Sequence, residues 1–301
     1  MNVLIGTRRF LVVVNPRGGT RCGAAVLARV RPVFEQADIA LDVRTTENAG
    51  HAREIARTTE LEPYDGLCVV GGDGTVHEVA DGLMRRDHGD AIPLGLIPAG
   101  SGNSLHQHLQ CLDPLEAARR IVAGQTTPLD VARVTMGAQV VYCVNIIGWG
   151  AVADINRTAE RLRFLGPSRY SLAALWHIAL ARRRRAKVVL DGRTVDDAFL
   201  FVIGCNTQFT GKGMKLAPRA KINDGRIDVV LVRRASRWQM LKLFSKVFDG
   251  SHLDLDFVEC HQVQSFAIES QGREPLDLDG EMQGHAPLAV EMISGALRVF
   301  A

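Results

Sequence analysis

The chain has 301 residues, room for one large domain or two of ordinary size, and 47% of them are hydrophobic, enough to bury a substantial core. A formal net charge of +3 permits contact with phosphates or anionic lipid heads but falls short of a nucleic-acid-binding signature, so no nucleic-acid partner is expected. The six cysteines form neither a CxxC pair nor a Cys/His cluster, the N-terminal stretch lacks signal-peptide order, and no apolar run reaches the ~18 residues of a membrane span; together these point to a cytoplasmic protein without zinc or disulfides.

The predicted elements alternate in type over the first part of the chain. Phe10–Val14 (FLVVV) reads as a buried parallel strand, followed by the turn NPRGG and the helical stretch AAVLARVRPVF. Ile39–Val43 is a second strand, AGHAREIARTT a second helix, and Gly66–Val70 (GLCVV) a third strand that runs into GGDGT. The helix VHEVADGLMRR places Val76, Val79, Ala80 and Leu83 on one face, and Leu94–Ile97 is a fourth strand that ends in PAGSGN. This rhythm predicts a doubly wound, mainly parallel α/β lobe over residues 1–127. Residues 128–301 read as a β-rich antiparallel sandwich, with the final residues free to return to the first lobe and a cleft between the two. Gly137 marks a hairpin turn, one long helix is expected over Arg157–Arg185, and RWQMLKLFSKVF is the last helix. SLAALWHIALARRRR reads either as a core helix whose C-terminal arginines complement its dipole, or as an apolar wall with a basic edge facing anionic lipid.

Chemistry is carried first by GGDGTVHE, Gly71 to Glu78, between a buried strand and a helix. Glycines let a backbone approach phosphate closely, and a helix N-terminus favours negative charge. Asp73 in such a place serves as a metal holder or a proton acceptor, both of them phosphoryl-transfer roles; the plain alternative is a tight turn with Asp73 as a cap. NPRGG and PAGSGN also end strands, and loops at the carboxyl ends of parallel strands converge on one crevice. None of the three matches GxxxxGK[ST] or GxGxxG, which argues against ordinary P-loop and dinucleotide folds.

NPRGG, TTENAGHARE, GGDGTVHEVADGLMRR and IPAGSGNSLHQHL, in this order, resemble the catalytic domain of the diacylglycerol kinase superfamily. WGAVADINRTAERLRFLGPSRY and the late LDLDGE (Leu276–Glu281) are similar to blocks of its sphingosine kinase-type members. The resemblance implies an ATP- and Mg²⁺-dependent kinase of a lipid alcohol, a sphingosine-like long-chain base or diacylglycerol. Such an enzyme meets its substrate transiently at the membrane surface, and a homodimer is an open option. An NAD kinase-like enzyme, which shares a GGDG loop, and a non-catalytic lipid-binding protein are the alternatives; the DGE and WGAVADIN blocks and the intact Asp73, Ser101 and Glu281 set speak against them.

By the same resemblance Asn15, Arg17, Thr46, Gly72, Gly74, Thr75, Ser101 and Gly102 surround the nucleotide and Asp73 is the acid/base centre. Glu78, Asp279 and Glu281 lie near nucleotide and metal, with Asp279 and Glu281 as metal ligands and Glu281 also catalytic. Arg163 and Arg169 contact phosphates. Asp154 and Asn156 meet the lipid head, and Asn156 stands where long-chain-base kinases carry an acidic residue. If ADIN is extended, Asp154 shares a face with Asn156 and can take over a lipid amine.

Overall fold

The run after Arg9 forms a strand because its valines suit a pleated surface that is covered on both sides: β1 (Arg9–Val14) is buried from Phe10 onward. The computed structural model describes residues 7–17, 22–86, 92–162, 169–180, 182–211 and 213–301. After β1 come α1 (Gly23–Glu35), β2 (Ala40–Thr45), α2 (His51–Thr58), β3 (Gly66–Gly71), α3 (Asp73–Met84), β4 (Leu94–Pro98), α4 (Ser104–His108) and α5 (Pro114–Ala123). Then follow β5 (Thr126–Met136), β6 (Gln139–Cys143), β7 (Ile146–Gly150), α6 (Ala151–Arg161), α7 (Arg169–Leu180), β8 (Arg184–Leu190), β9 (Arg193–Phe199), β10 (Phe201–Cys205) and β11 (Ile227–Val232). The chain ends with α8 (Arg237–Lys246), β12 (Val258–Val263), β13 (Ser265–Ser270), β14 (Pro275–Leu278), β15 (Glu281–His285) and β16 (Leu288–Phe300). It divides into two compact units, Met1–Leu129 with Gly295–Ala301, and Asp130–Ser294.

In the first unit β2, β1, β3 and β4 are neighbours in that order, all parallel, and the end of β16 joins β4 in parallel through Val299 and Leu94. The chain goes from β1 to β2 on one side and then crosses to β3 on the other. This is a topological switch point, and it opens a crevice at the carboxyl ends of β1 and β3. Phe10, Val12, Val14, Cys68, Val70 and Ile97 pack against α1 and α5 through Val30, Phe34 and Ile121.

The second unit is an antiparallel sandwich. One sheet runs β12-β11-β10-β7-β14-β15, the other pairs β16, β13, β8 and β9 in sequence, and both are antiparallel. Their facing side chains, among them Trp149, Val202, Val229, Phe266 and Val188, form the core. The outward face of the β7–β10–β11 sheet carries Ile203, Val230 and Val232, and these are covered by Ile178 of α7 and Met240 and Leu243 of α8. Alternate residues of one strand thus feed two cores, which is the period-2 rule at work.

The single helix expected over Arg157–Arg185 is instead two helices and the start of a strand: α7 ends at Leu180, and Arg184 and Arg185 belong to β8. The alternating burial of Arg184–Leu190 imposes the strand. ADIN is likewise helical, in α6, so Asp154 and Asn156 do not share a face.

Candidate active site

The glycine loops of the first unit are held in contact by backbone. Asn15 N–H donates to Val70 O at 3.0 Å and Ala99 N–H to Gly71 O at 2.9 Å, so the parallel ladder extends into the loops after β1 and β4. A Cβ on Gly100 would lie 2.3 Å from the Gly72 Cα, and one on Gly72 would lie 2.8 Å from the Gly100 Cα. Only glycine permits that approach. Asn103, in the left-handed region at φ 57°, fixes the third loop: its Oδ1 accepts from Gly100 N–H and its Nδ2 donates to Gly100 O. Gly100→Ala is expected to lower stability by about 1–3 kcal/mol through overpacking and to raise the KM for ATP about tenfold, because both loops must part. Steady-state kinetics and thermal unfolding read this, and a wild-type KM and Tm would contradict it.

Asp73 is the first residue of α3, after the extended Gly72. Its Oδ1 accepts from the backbone N–H of Ser104 at 2.7 Å and its Oδ2 from Ser104 Oγ at 3.2 Å. The head of α4 thus orients the carboxylate. Asn15 Nδ2 donates to Thr75 Oγ1 at 3.0 Å, while Asn15 Oδ1 accepts from Arg17 N–H at 3.0 Å. Thr46 is buried, its N–H bonded to Val14 O, and Arg17 Nη1 donates to the neighbouring Glu47 O at 3.5 Å. Asn15, Arg17, Thr46, Gly72, Asp73 and Thr75 therefore meet around the carboxyl ends of β1 and β3. Ser101 is exposed beside them, and Gln107 Nε2 donates to Gly102 O at 2.7 Å. Glu78 is held by backbone amides. Its two oxygens accept from Gly50 N–H at 2.8 Å and Ala52 N–H at 3.1 Å, so it holds the start of α2.

His106 of α4 is 1% exposed and its ring nitrogens find no hydrogen-bond partner among the described residues. Burial pushes its pKa down to about 4 from an ordinary 6.5. A lowered histidine pKa means the unfolded chain takes up the proton first, so its contribution to stability is complete above pH 6.5 and is lost as pH falls toward 4. Wild type is expected to lose stability on the order of 3 kcal/mol across that window from this group, and His106→Leu to flatten the loss. Equal slopes in Tm against pH for the two proteins would contradict the assignment.

In the second unit the turn between β14 and β15 carries the late acidic motif. Asp279 and Gly280 both lie at positive φ, 55° and 92°. Asp279 Oδ1 accepts from Asn145 and Ile146 N–H, each at 2.8 Å, and its Oδ2 accepts from Val144 N–H at 2.9 Å. Asp279 is thus a buried anchor of the turn. Glu281 is exposed and lines an open pocket of about 470 Å³ with Arg157, Glu160, Arg161, Gly280 and Met282. Asp277, absent from the expected set, accepts from Gly280 N–H at 2.9 Å, and burial pushes its carboxyl up to about 7. Asn156 Nδ2 donates to Gly280 O at 2.7 Å, which ties α6 to the same turn.

Asp154 is buried and ion-paired with Arg184, itself buried, and with Arg157 at 3.1 Å. Arg169 begins α7, pairs with Glu160 at 3.4 Å and lies over the Tyr170 ring at 4.8 Å. Arg163 lies outside the described residues. Sequence reasoning overlooked Ser104, Asp277 and Arg184 as site or support residues. Ser104 stands in the quoted IPAGSGNS, but nothing local says that it reaches Asp73 31 residues away.

Stacked glycine loops at the ends of parallel strands, with an oriented carboxylate at the head of the next helix, are the layout of a phosphotransferase. Residues 9–134 match the profile of the diacylglycerol kinase catalytic domain, and residues 145–301 that of the YegS C-terminal NAD kinase beta sandwich-like domain. A diacylglycerol kinase of Mycobacterium tuberculosis (strain CDC 1551 / Oshkosh) is 30% identical, over 97% of this chain and 94% of its own. Sphingosine kinase 1 of Arabidopsis thaliana is 28% identical, over 91% of this chain and 68% of its own. A crystal structure of a diacylglycerol kinase from Bacillus anthracis str. Sterne has the same fold, with a TM-score of 0.79 at 24% identity, covering 98% of this chain and 96% of that one. The chain belongs to the diacylglycerol kinase family. It is a lipid kinase, a phosphotransferase that acts on a lipid alcohol, and as a kinase it uses ATP.

Proposed function

We propose that the preferred acceptor is a neutral lipid alcohol of the diacylglycerol type, with an amine-bearing long-chain base no better a substrate. One observation carries this reading: the carboxylates of α6 are already paired. Asp154 is held by Arg184 and Arg157, and Glu160 by Arg169. Asn156, at the position that is acidic in long-chain-base kinases, gives its amide hydrogen to Gly280 O. An ammonium head would therefore gain no charge-assisted bond here, a loss of roughly 1.5–3 kcal/mol or about 10- to 150-fold in preference.

In this reading the loops after β1, β3 and β4 bind the phosphates of ATP; Gly72 and Gly100, having no Cβ, let the loops after β3 and β4 pack against each other. Asp73, held by Ser104, accepts the proton of the lipid hydroxyl. Arg17 and Arg169 supply guanidinium groups for phosphate oxygens. Glu281, exposed at the start of β15, is the residue to hold Mg²⁺, which would offset phosphate charge when bound. The acceptor resides in a bilayer, so the enzyme works as a cytoplasmic protein that visits the membrane surface. Among the described residues no helix is long and apolar enough to cross it.

The test is a substrate panel: purified protein, labelled ATP with Mg²⁺, and micelles of diacylglycerol, ceramide or sphingosine. The expected kcat/KM for a neutral lipid is at least comparable to that for sphingosine. A sphingosine preference of about 100-fold or more, the size of the bond at stake, would overturn the reading. Wild type is the cleaner subject than Asn156→Asp, because that change removes the donor to Gly280 O and sets a second carboxylate beside Asp277.

A further inference from the structure

A group that takes a proton during a reaction and later gives it up needs neighbours that suit both of its states. A carboxylate only accepts hydrogen bonds, whereas the acid it becomes also donates one. Asp73 meets this demand through one residue of α4, Ser104, which bonds both of its oxygens.

The two bonds differ. Asp73 Oδ1 accepts from the Ser104 backbone N–H at 2.7 Å, at the short end for an N–H donor and typical of one that meets a charge. Asp73 Oδ2 accepts from Ser104 Oγ at 3.2 Å, longer than the ~2.7–2.8 Å usual for a hydroxyl donor. Oδ2 is therefore the more weakly held oxygen and the one that takes a proton at less cost. Once Oδ2 is protonated, Oδ1 is the carbonyl oxygen of the acid and still accepts from the backbone N–H. The Ser104 hydroxyl can turn about its C–O bond and accept from the new Oδ2–H, a reversal open to a hydroxyl and closed to an N–H or an ammonium. Ser104 thus satisfies Asp73 in both states without moving a heavy atom.

Its place is fixed from both sides. Ser104 is buried, and the next two residues of α4, Leu105 and His106, seat the helix in the interior. Before it, Asn103 clasps Gly100, and Gly100 lies against Gly72, the residue that precedes Asp73. A carboxylate whose task was to hold Mg²⁺ would stay ionised throughout and would have no use for a partner that reverses.

We propose that Ser104 is a positioning residue for proton transfer: its hydroxyl donates to Asp73 Oδ2 before the reaction and accepts from Oδ2–H after it. The proposal rests on Asp73 as the acid/base centre and holds for any lipid alcohol the enzyme accepts. In the step, the lipid O–H bond breaks and its proton passes to Oδ2 while the lipid oxygen bonds to the terminal phosphorus of ATP. The bond from that phosphorus to its bridging oxygen breaks, and ADP leaves with the electron pair. Ser104 keeps its own proton throughout.

The test uses ATP, Mg²⁺ and micelles of whichever lipid alcohol wild type phosphorylates best. Ser104→Ala is expected to lower kcat about tenfold, the scale of one hydrogen bond to a charged group. The KM for ATP and the Mg²⁺ concentration for half-maximal rate should stay within about twofold of wild type. Ser104→Thr keeps the hydroxyl and is expected to recover most of the lost kcat. Ser104→Cys fills the same space with a weak hydrogen-bonding group and is expected to fall with Ser104→Ala, which separates the loss of the bond from the loss of packing. Wild-type kcat in Ser104→Cys overturns the proposal. So does a raised Mg²⁺ requirement with kcat at saturation unchanged, which makes Asp73 a metal holder. So does a Ser104→Thr variant that has the wild-type Tm and the low kcat of Ser104→Ala. A wild type that transfers phosphate to no lipid alcohol overturns the functional reading and this proposal with it; a wild-type preference for sphingosine touches only the choice of acceptor.

Discussion

Asp73→Asn is expected to reduce kcat by about 100-fold or more while leaving the protein folded. The carboxylate that opens α3 has the chemistry to accept a hydroxyl proton, and Ser104 fixes its orientation through two hydrogen bonds. Asparagine keeps the shape. Its Oδ1 can still accept from Ser104 N–H, and the Ser104 hydroxyl can turn to accept from Nδ2. The stability change should therefore stay within about 1 kcal/mol, the ordinary net worth of one hydrogen bond. Micellar kinase assays beside thermal unfolding separate the two readouts. Near wild-type turnover would remove Asp73 from the chemistry, and a large loss of Tm with proportionate loss of activity would make it structural.

Arg184→Ala is expected to be the most damaging to stability, by about 3–5 kcal/mol, because it strands a buried carboxylate. Asp154 and Arg184 both have side chains only 6% exposed, and Arg157, the other partner of Asp154, is half in solvent and cannot replace the lost charge at depth. The double variant Asp154→Leu/Arg184→Leu should recover most of the loss, since well-packed apolar residues replace a buried pair at little or no cost. Denaturant titrations of wild type, the two single variants and the double variant give the coupling. If Arg184→Ala cost less than about 1 kcal/mol, as a surface pair would, the pair would not lock α6 to β8. Its place in the argument against an amine-bearing substrate would then fall as well.

The parallel strands, the glycine loops, Asp73 and the late acidic turn were legible in the sequence because each rests on local chemistry. Apolar runs such as FLVVV are short enough to be strands, glycines punctuate their ends, and a carboxylate opens the helix after GGDG. The tertiary structure alone decided what these groups face. Glu78 holds α2, Asp279 anchors a turn on backbone amides, and Ser104 steers Asp73, although in sequence each could as well serve a metal or a phosphate. Arg184 shows the reason most plainly. Read in ARRRR it is one more cation at a helix end; in the fold, strand alternation turns it inward where its neighbours Arg183 and Arg185 turn out. The outward tryptophan of α7 was hidden for the same reason. Helical spacing names the faces of a helix, but which face meets the core depends on what packs against it, and Ile178 with two alanines suffices to seat α7 on the sheet.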